Sequence, residues 1–251
     1  VRRAFTLLPV NVSRRAAVVG ALATLSCRSS QPMASVQHRA LSSLPTTSLP
    51  WLQLKDHFVQ TVGPNAGQGK TLGPLLVLAD ATFAPRSRFP MHPHRDMEIL
   101  SIVLEGDMSH HGDGANGQVV KPRGAQLISS RDGMFHAEGN DTDAPVRMLQ
   151  IWFQPTEMGG QPQYFYRQLP DAPGSYVMAG DEGMPLRCAV KVSWLDVEGT
   201  VKRSAKQAYV MSLKGALEVG ASKLQAGEGA MVSGGEVELK GKGAALWIDV
   251  G

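Results

Sequence analysis

The chain has 251 residues with 27 glycines, 16 prolines and 2 cysteines. That length holds one domain or two compact halves, and the cysteine count excludes a disulfide framework. The net charge of +3 hides a split: residues 1–55 hold seven basic residues and no acidic one, leaving 18 basic against 22 acidic residues in the rest, so charge-driven nucleic-acid binding by the body is not expected. No apolar run reaches the roughly 18 residues needed to cross a bilayer.

The first expected element is a leader. Arg2, Arg3, Arg14, Arg15 and Arg28, with several serines and no acid, make residues 1–48 an organelle targeting presequence that runs into a linker. Mitochondrion is expected ahead of chloroplast. Ser13-Arg14-Arg15 before an apolar stretch also resembles a twin-arginine export signal. Translation from Met33 would instead leave a cytoplasmic protein. Pro45 and Pro50 bracket the entry to the folded body near Trp51. Residues 63–73 form a glycine-rich loop. Its Gly69-Lys70-Thr71 lacks the first glycine of a phosphate-binding fingerprint, because Pro64 stands there, and no helix follows, which rules out nucleotide binding.

Short apolar strands are expected at 75–83, 98–105, 125–129, 134–140 and 146–153. Turn signals separate them: Gly106, Gly112-Asp113-Gly114, Asn116-Gly117, Pro122 with Gly124, and Gly133. A proline- and glycine-rich crossover follows at 156–185. A second strand series is expected at 186–197, 207–212, 216–219, 229–232, 237–239 and 244–250. Val103-Leu104-Glu105-Gly106 is echoed by Ser212-Leu213-Lys214-Gly215, and Gly124-Ala125 by Gly229-Ala230. This weak repeat predicts an all-β protein of two tandem β-barrels, one at 49–160 and one at 161–251. The last histidine of the chain is His136, so only the first barrel can carry a histidine-rich metal site.

The chemistry concentrates in His92-Pro93-His94-Arg95-Asp96-Met97-Glu98 and in His136-Ala137-Glu138. Alternate residues of a strand point to one face, so His92 pairs with His94 and His136 with Glu138. If the two strands face each other, three imidazoles and a carboxylate converge. That donor set suits iron, and also nickel, copper, manganese or zinc, and leaves positions open for a ligand.

The spacing His-x-His, three residues, then Glu, with Gly106 ending the strand, is similar to the first cupin motif. Pro122-x-Gly124 followed by Gly133-x-x-His136 resembles the second. More narrowly, Met91 to Ile99, Val103 to Gly106, His136-x-Glu138 and Leu149-Gln150-Ile151-Trp152 resemble the pirin family, in particular pirin-like proteins with quercetin 2,3-dioxygenase activity. The resemblance covers roughly residue 51 to the end. It implies a bicupin (the double-stranded β-helix fold) with one divalent metal, Fe(II) by preference, in the N-terminal barrel only. Its implied ligands are His92, His94, His136 and Glu138. Glu98 competes as fourth ligand, since it shares strand parity with His94 and is a ligand in many other cupins. Ser87 and Arg131 stand where the family usually has glycine, and Ala137 where serine is common.

The implied reaction is ring-opening dioxygenation of a flavonol or related phenolic, with dioxygen as co-substrate and loss of carbon monoxide. Glu138, or Glu98 if it is free of metal, takes the substrate's hydroxyl proton. The competing reading is a non-catalytic, metal-dependent regulatory protein with a protein partner. A third is another cupin activity. An apolar cavity beside the metal favours the enzyme; a sealed metal with an exposed apolar patch favours the interaction protein. Gln150, Glu105 and Asp96 are polar candidates to orient the imidazoles. Trp152, Phe135 and Met91 are candidates to line the cavity. His110 and His111 are adjacent, so they face opposite ways, and both are expected on the hairpin surface.

Overall fold

Leucine, isoleucine and valine runs of eight or nine residues between turn glycines are too short for stable helices and suit half-buried strands. The computed structural model of the chain describes residue 1 and residues 32–69 and 71–251. The expected targeting signal falls on residues 2–31 and lies outside the described residues. Among the described residues there is no α-helix, only a 3-10 turn at Leu41–Ser43. In chain order the strands are β1 (Ser35–Arg39), β2 (Thr46–Ser48), β3 (Leu52–Val59), β4 (Leu75–Phe83), β5 (Ser87–Arg88), β6 (His92–His94), β7 (Glu98–Glu105), β8 (Met108–Gly112), β9 (Gln118–Val120), β10 (Gly124–Ser129), β11 (Met134–Asn140), β12 (Val146–Phe153), β13 (Gln163–Gln168), β14 (Ser175–Ala179), β15 (Lys191–Lys214), β16 (Leu217–Val219), β17 (Ser222–Leu224) and β18 (Gly229–Asp249).

These strands make two β-barrels in tandem. The first is closed by two facing sheets: β13-β10-β7-β12-β4-β3-β2, and β5-β11-β8-β9 with β6 added on β11. Ala81, Phe83, Val103 and Met148 of the first sheet pack on Met108 and Val120 of the second. The second barrel is built largely from β15 and β18. Ala208 of β15 pairs with both Val232 and Asp249 of β18, so this sheet turns back on itself. Leu195, Val197, Val210, Leu217, Leu239 and Trp247 fill its interior.

The seven-stranded sheet has two apolar faces. Leu100, Ile102, Leu127, Leu149 and Ile151 point out of the first barrel and join Met178, Val192, Tyr209, Leu246 and Ile248 of the second in one continuous core. Each such fully buried side chain contributes about 1.5–3 kcal/mol. The alternate residues, Ile99, Val103, Ile128 and Met148, point into the first barrel.

Three expected boundaries move. Residues 35–48, expected in the leader, belong to the folded body: β1 pairs with β18 from Ser35↔Ser233 to Arg39↔Gly229, and β2 pairs with β3. Basic residues and weak alternation hid β1, which is held by backbone pairing to an edge far along the chain. Residues 163–168, expected in the second domain, form β13 and pair with β10 in the first barrel's sheet. The separate strands expected at 186–197 and 207–212 run together in the single bent β15, which begins only at Lys191.

Candidate metal centre

His92 and His94 project from β6, and His136 from β11. β6 and β11 pair antiparallel, with His136 opposite His92 and Met134 opposite His94. Residues two apart share a face, so all three imidazoles meet. A ligand nitrogen from each lies within 4.8 Å of the others. Gly112 of β8 lets the backbone come this close: a Cβ there would lie 2.4 Å from the Phe135 carbonyl oxygen and 2.9 Å from His136 Cα.

The nitrogens are prepared for a cation. His92 Nδ1 donates to the Pro90 carbonyl at 2.7 Å, so its Nε2 keeps the lone pair. Burial lowers the His94 pKa to about 4, helped by the charge of His92. Burial, then His92 and His94, lower that of His136 to about 2. Both imidazoles are therefore neutral at neutral pH, the form that ligates. His136 is fully buried and neither of its nitrogens has a partner. An unpaired buried imidazole is costly, and a metal ion taking one lone pair would relieve that cost. The residues present fit a divalent cation.

Glu138 stands outside the three-imidazole group but on the same face of β11 as His136, fully buried. Ser101 Oγ lies 3.0 Å from both its Oε2 and Gln150 Oε1. Gln126 Nε2 donates to Oε2 at 2.8 Å, and Gln150 Nε2 donates to Oε1. Burial pushes the Glu138 carboxyl up to about 7 against these hydrogen bonds. Ser101, Gln126 and Gln150 are neighbours in register across β7, β10 and β12. Each is a polar residue with an apolar neighbour on both sides in its strand, a signal available in the sequence. Of these only Gln150 was expected. Asp96 instead accepts the Gly159 N–H at 2.7 Å, and Glu105 faces solvent beside Arg147.

Glu98 does not join the cluster. It shares its face of β7 with Leu100 and Ile102, the face that packs on the second barrel. Its Oε1 accepts from Ser129 Oγ at 2.6 Å, its Oε2 has no partner, and burial raises its pKa while Arg187 and Arg131 lower it. The expected parity with His94 fails because Arg95 to Met97 turn the chain from one sheet into the other, with Asp96 at φ +50.

His110 also departs from expectation. It is fully buried, opposite Glu138 in the β8–β11 register, with its ring centroid 5.4 Å from His136 and 5.0 Å from Tyr164. Its Nε2 donates to the Asp113 carbonyl at 3.1 Å, leaving Nδ1 unpaired beside the site. His111 faces the other way and meets Asp141 at 2.7 Å. Tyr164 O–H donates to Gln126 Oε1 at 3.0 Å, which extends the network behind Glu138.

His92 and His94 open onto a cavity of about 500 Å³. Its walls are apolar: Trp152, Phe89, Val77, Ala79 and Leu54, with Gly63-Pro64 at one side. Trp152 stands edge-to-face on His94 at 4.8 Å. Trp152 was expected here. Met91 and Phe135 were too, but they are 54% and 56% exposed on the outside of the barrel.

A family model described as Pirin matches residues 37–153. A pirin-like protein of Caulobacter vibrioides is 30% identical over 195 residues, 72% of this chain and 83% of its own length. A quercetin 2,3-dioxygenase of Escherichia coli is 33% identical over 105 residues, 41% of this chain and 46% of that protein. The crystal structure of the bacterial pirin YhhW from Escherichia coli in complex with nickel(II) superposes with a TM-score of 0.76 at 21% identity, covering 87% of this chain and 99% of that one. At that identity the likeness concerns the fold.

Proposed function

The chain belongs to the pirin family of bicupins, and on that footing we propose that it is a metal-dependent dioxygenase of the quercetin 2,3-dioxygenase type. The observation that carries this reading is the placing of two of the three clustered imidazoles on an apolar, aromatic-walled cavity of about 500 Å³. His92, His94 and His136 would hold one divalent metal, with Glu138 as the carboxylate of the set. Fe(II) is the ion we favour, with nickel, copper, manganese and zinc as alternatives. When bound, the metal supplies Lewis acidity that lowers the pKa of a hydroxyl beside it. Glu138 is the base for that hydroxyl proton, oriented by Ser101, Gln126 and Gln150. Trp152 and Phe89 hold a flat ring, and the aliphatic wall excludes water from the reacting face. The substrate class is a small phenolic, a flavonol in the first instance, with dioxygen. One observation favours the regulatory alternative, the exposed Met91 and Phe135 flanking the metal-bearing strands.

The test is oxygen uptake by the full chain loaded with ferrous iron and supplied with quercetin, with carbon monoxide release measured in parallel. Uptake that His94→Ala abolishes supports the dioxygenase. One metal per chain with no uptake on any flavonol overturns it in favour of the regulatory reading.

A further inference from the structure

The wall of the metal-side cavity contains one carboxylate that the proposed chemistry does not use. Asp56 lies on β3, 4% exposed, among Leu54, Val59 and Ala79. Its Oδ2 accepts from Asn65 Nδ2 at 3.0 Å, and Asn65 also reaches Thr47 Oγ1 at 3.2 Å. Asp56 Oδ1 has no side-chain partner among the described residues, and Asp56 lines the cavity. A carboxylate kept at an apolar wall with no ion pair among the described residues is a costly feature. Burial raises its pKa, partly offset by Asn65.

Its direction is fixed by the sheet. Leu52, Leu54 and Asp56 alternate into the barrel, and a bulge at His57 then reverses the parity, sending Phe58 into the inter-barrel core. Across the strands, Asp56 is opposite Ala79, Ala79 opposite Gln150, and Gln150 opposite Ser101. Asp56 and Gln150 are thus two strand spacings apart on one face, about 10 Å. Gln150 marks the metal end of the cavity, because it donates to Glu138. Only Ala79 stands between them, which leaves the space above the row open.

We propose that Asp56 is the specificity-determining residue of this cavity, accepting a hydrogen bond from a hydroxyl at the far end of a multi-ring phenol whose near end lies at the histidine cluster. A single-ring phenol does not span the row. The inference rests on the phenolic-substrate reading above and narrows it to polyhydroxylated, multi-ring members. Asn65 is the positioning residue: by engaging Oδ2 it turns Oδ1 towards the ligand.

The test is a fluorescence titration of the full chain loaded with nickel(II), made without dioxygen so that no turnover occurs. The probes are quercetin, which carries hydroxyls on its distal rings, and 3-hydroxyflavone, which lacks them. Quercetin is expected to bind the wild type tighter by about tenfold or more, the range of a hydrogen bond to a charged group. Asp56→Ala brings the ratio of the two affinities close to one, and the isosteric Asp56→Asn falls between, since a neutral acceptor makes a weaker bond. Asp56→Asn carries the comparison should Asp56→Ala not fold. Binding of both probes with the wild-type ratio kept in the variants overturns the role of Asp56 and leaves the phenolic reading standing. Binding of neither probe to the wild type overturns both.

Discussion

Arg39→Ala tests whether the first strand is part of the body or the end of a leader. Arg39 donates Nη1 to the His57 carbonyl oxygen and places its guanidinium 5.1 Å over the Phe58 ring. A hydrogen bond from a charged donor contributes about 1.5–3 kcal/mol. A partly buried cation–π contact adds about 0.5–2 kcal/mol. Truncation should therefore cost about 3 kcal/mol. In a chain of this size that lowers the melting temperature by about 6–12 °C. Arg39→Lys keeps the charge and loses the planar fork, so it should fall between. Thermal unfolding followed by circular dichroism gives the size of the effect. Amide hydrogen exchange at 35–39 gives its location, because the β1–β18 bonds should open in the variant. A loss under about 1 kcal/mol, or unchanged protection of 35–39, would refute the claim that this strand clasps the second barrel.

His136→Ala should leave the chain folded and bring metal content from about one per chain to near none, measured by elemental analysis of dialysed protein; full occupancy would remove His136 from the ligand set. Glu98→Gln should retain metal and leave stability within about 1 kcal/mol or raise it, because it replaces a buried carboxyl with an unpaired oxygen; loss of metal would restore Glu98 as a ligand. His57 supplies a pH dependence. Burial lowers its folded pKa from 6.5 to about 4, so the unfolded chain binds the proton first as pH falls. Its contribution is intact above pH 6.5 and is lost progressively down to about pH 4, about 3 kcal/mol in all. Urea unfolding of wild type and His57→Leu across that window should show the gap between them closing; parallel curves would contradict it.

The site was legible in the sequence where strand periodicity holds without interruption. His92 and His94 lie in one extended segment, and His136 meets them because β6 and β11 pair in register. Periodicity fails across a turn, which is why Glu98 misled: the parity counted from His94 does not survive the passage into another sheet. It also fails at bulges. Nothing local in Asp56-His57-Phe58 announces that His57 is the extra residue. For His110 and His111, alternation allows one to face inward and does not say which. The β8–β11 register decides it by setting His110 against Glu138. The two-barrel fold was visible in the weak repeat and the spacing of turns. The exchange of β1 and β13 across the expected boundaries was not, because edge pairing depends on partners far away in the chain.

The pairing of β1 with β18 has a consequence in time. A chain emerging from the ribosome presents β1 well before its partner residues 229–233. β13, which lies within the crossover, closes the first barrel's sheet on β10. The strands of the first barrel lie together between Thr46 and Gln168, whereas the clasp of β1 on the second barrel waits for β18. Such long-range closure is slow and leaves edges open meanwhile. Until residues 229–233 are made, β1 has no partner and remains an open edge, and a product that stops short of them lacks the clasp.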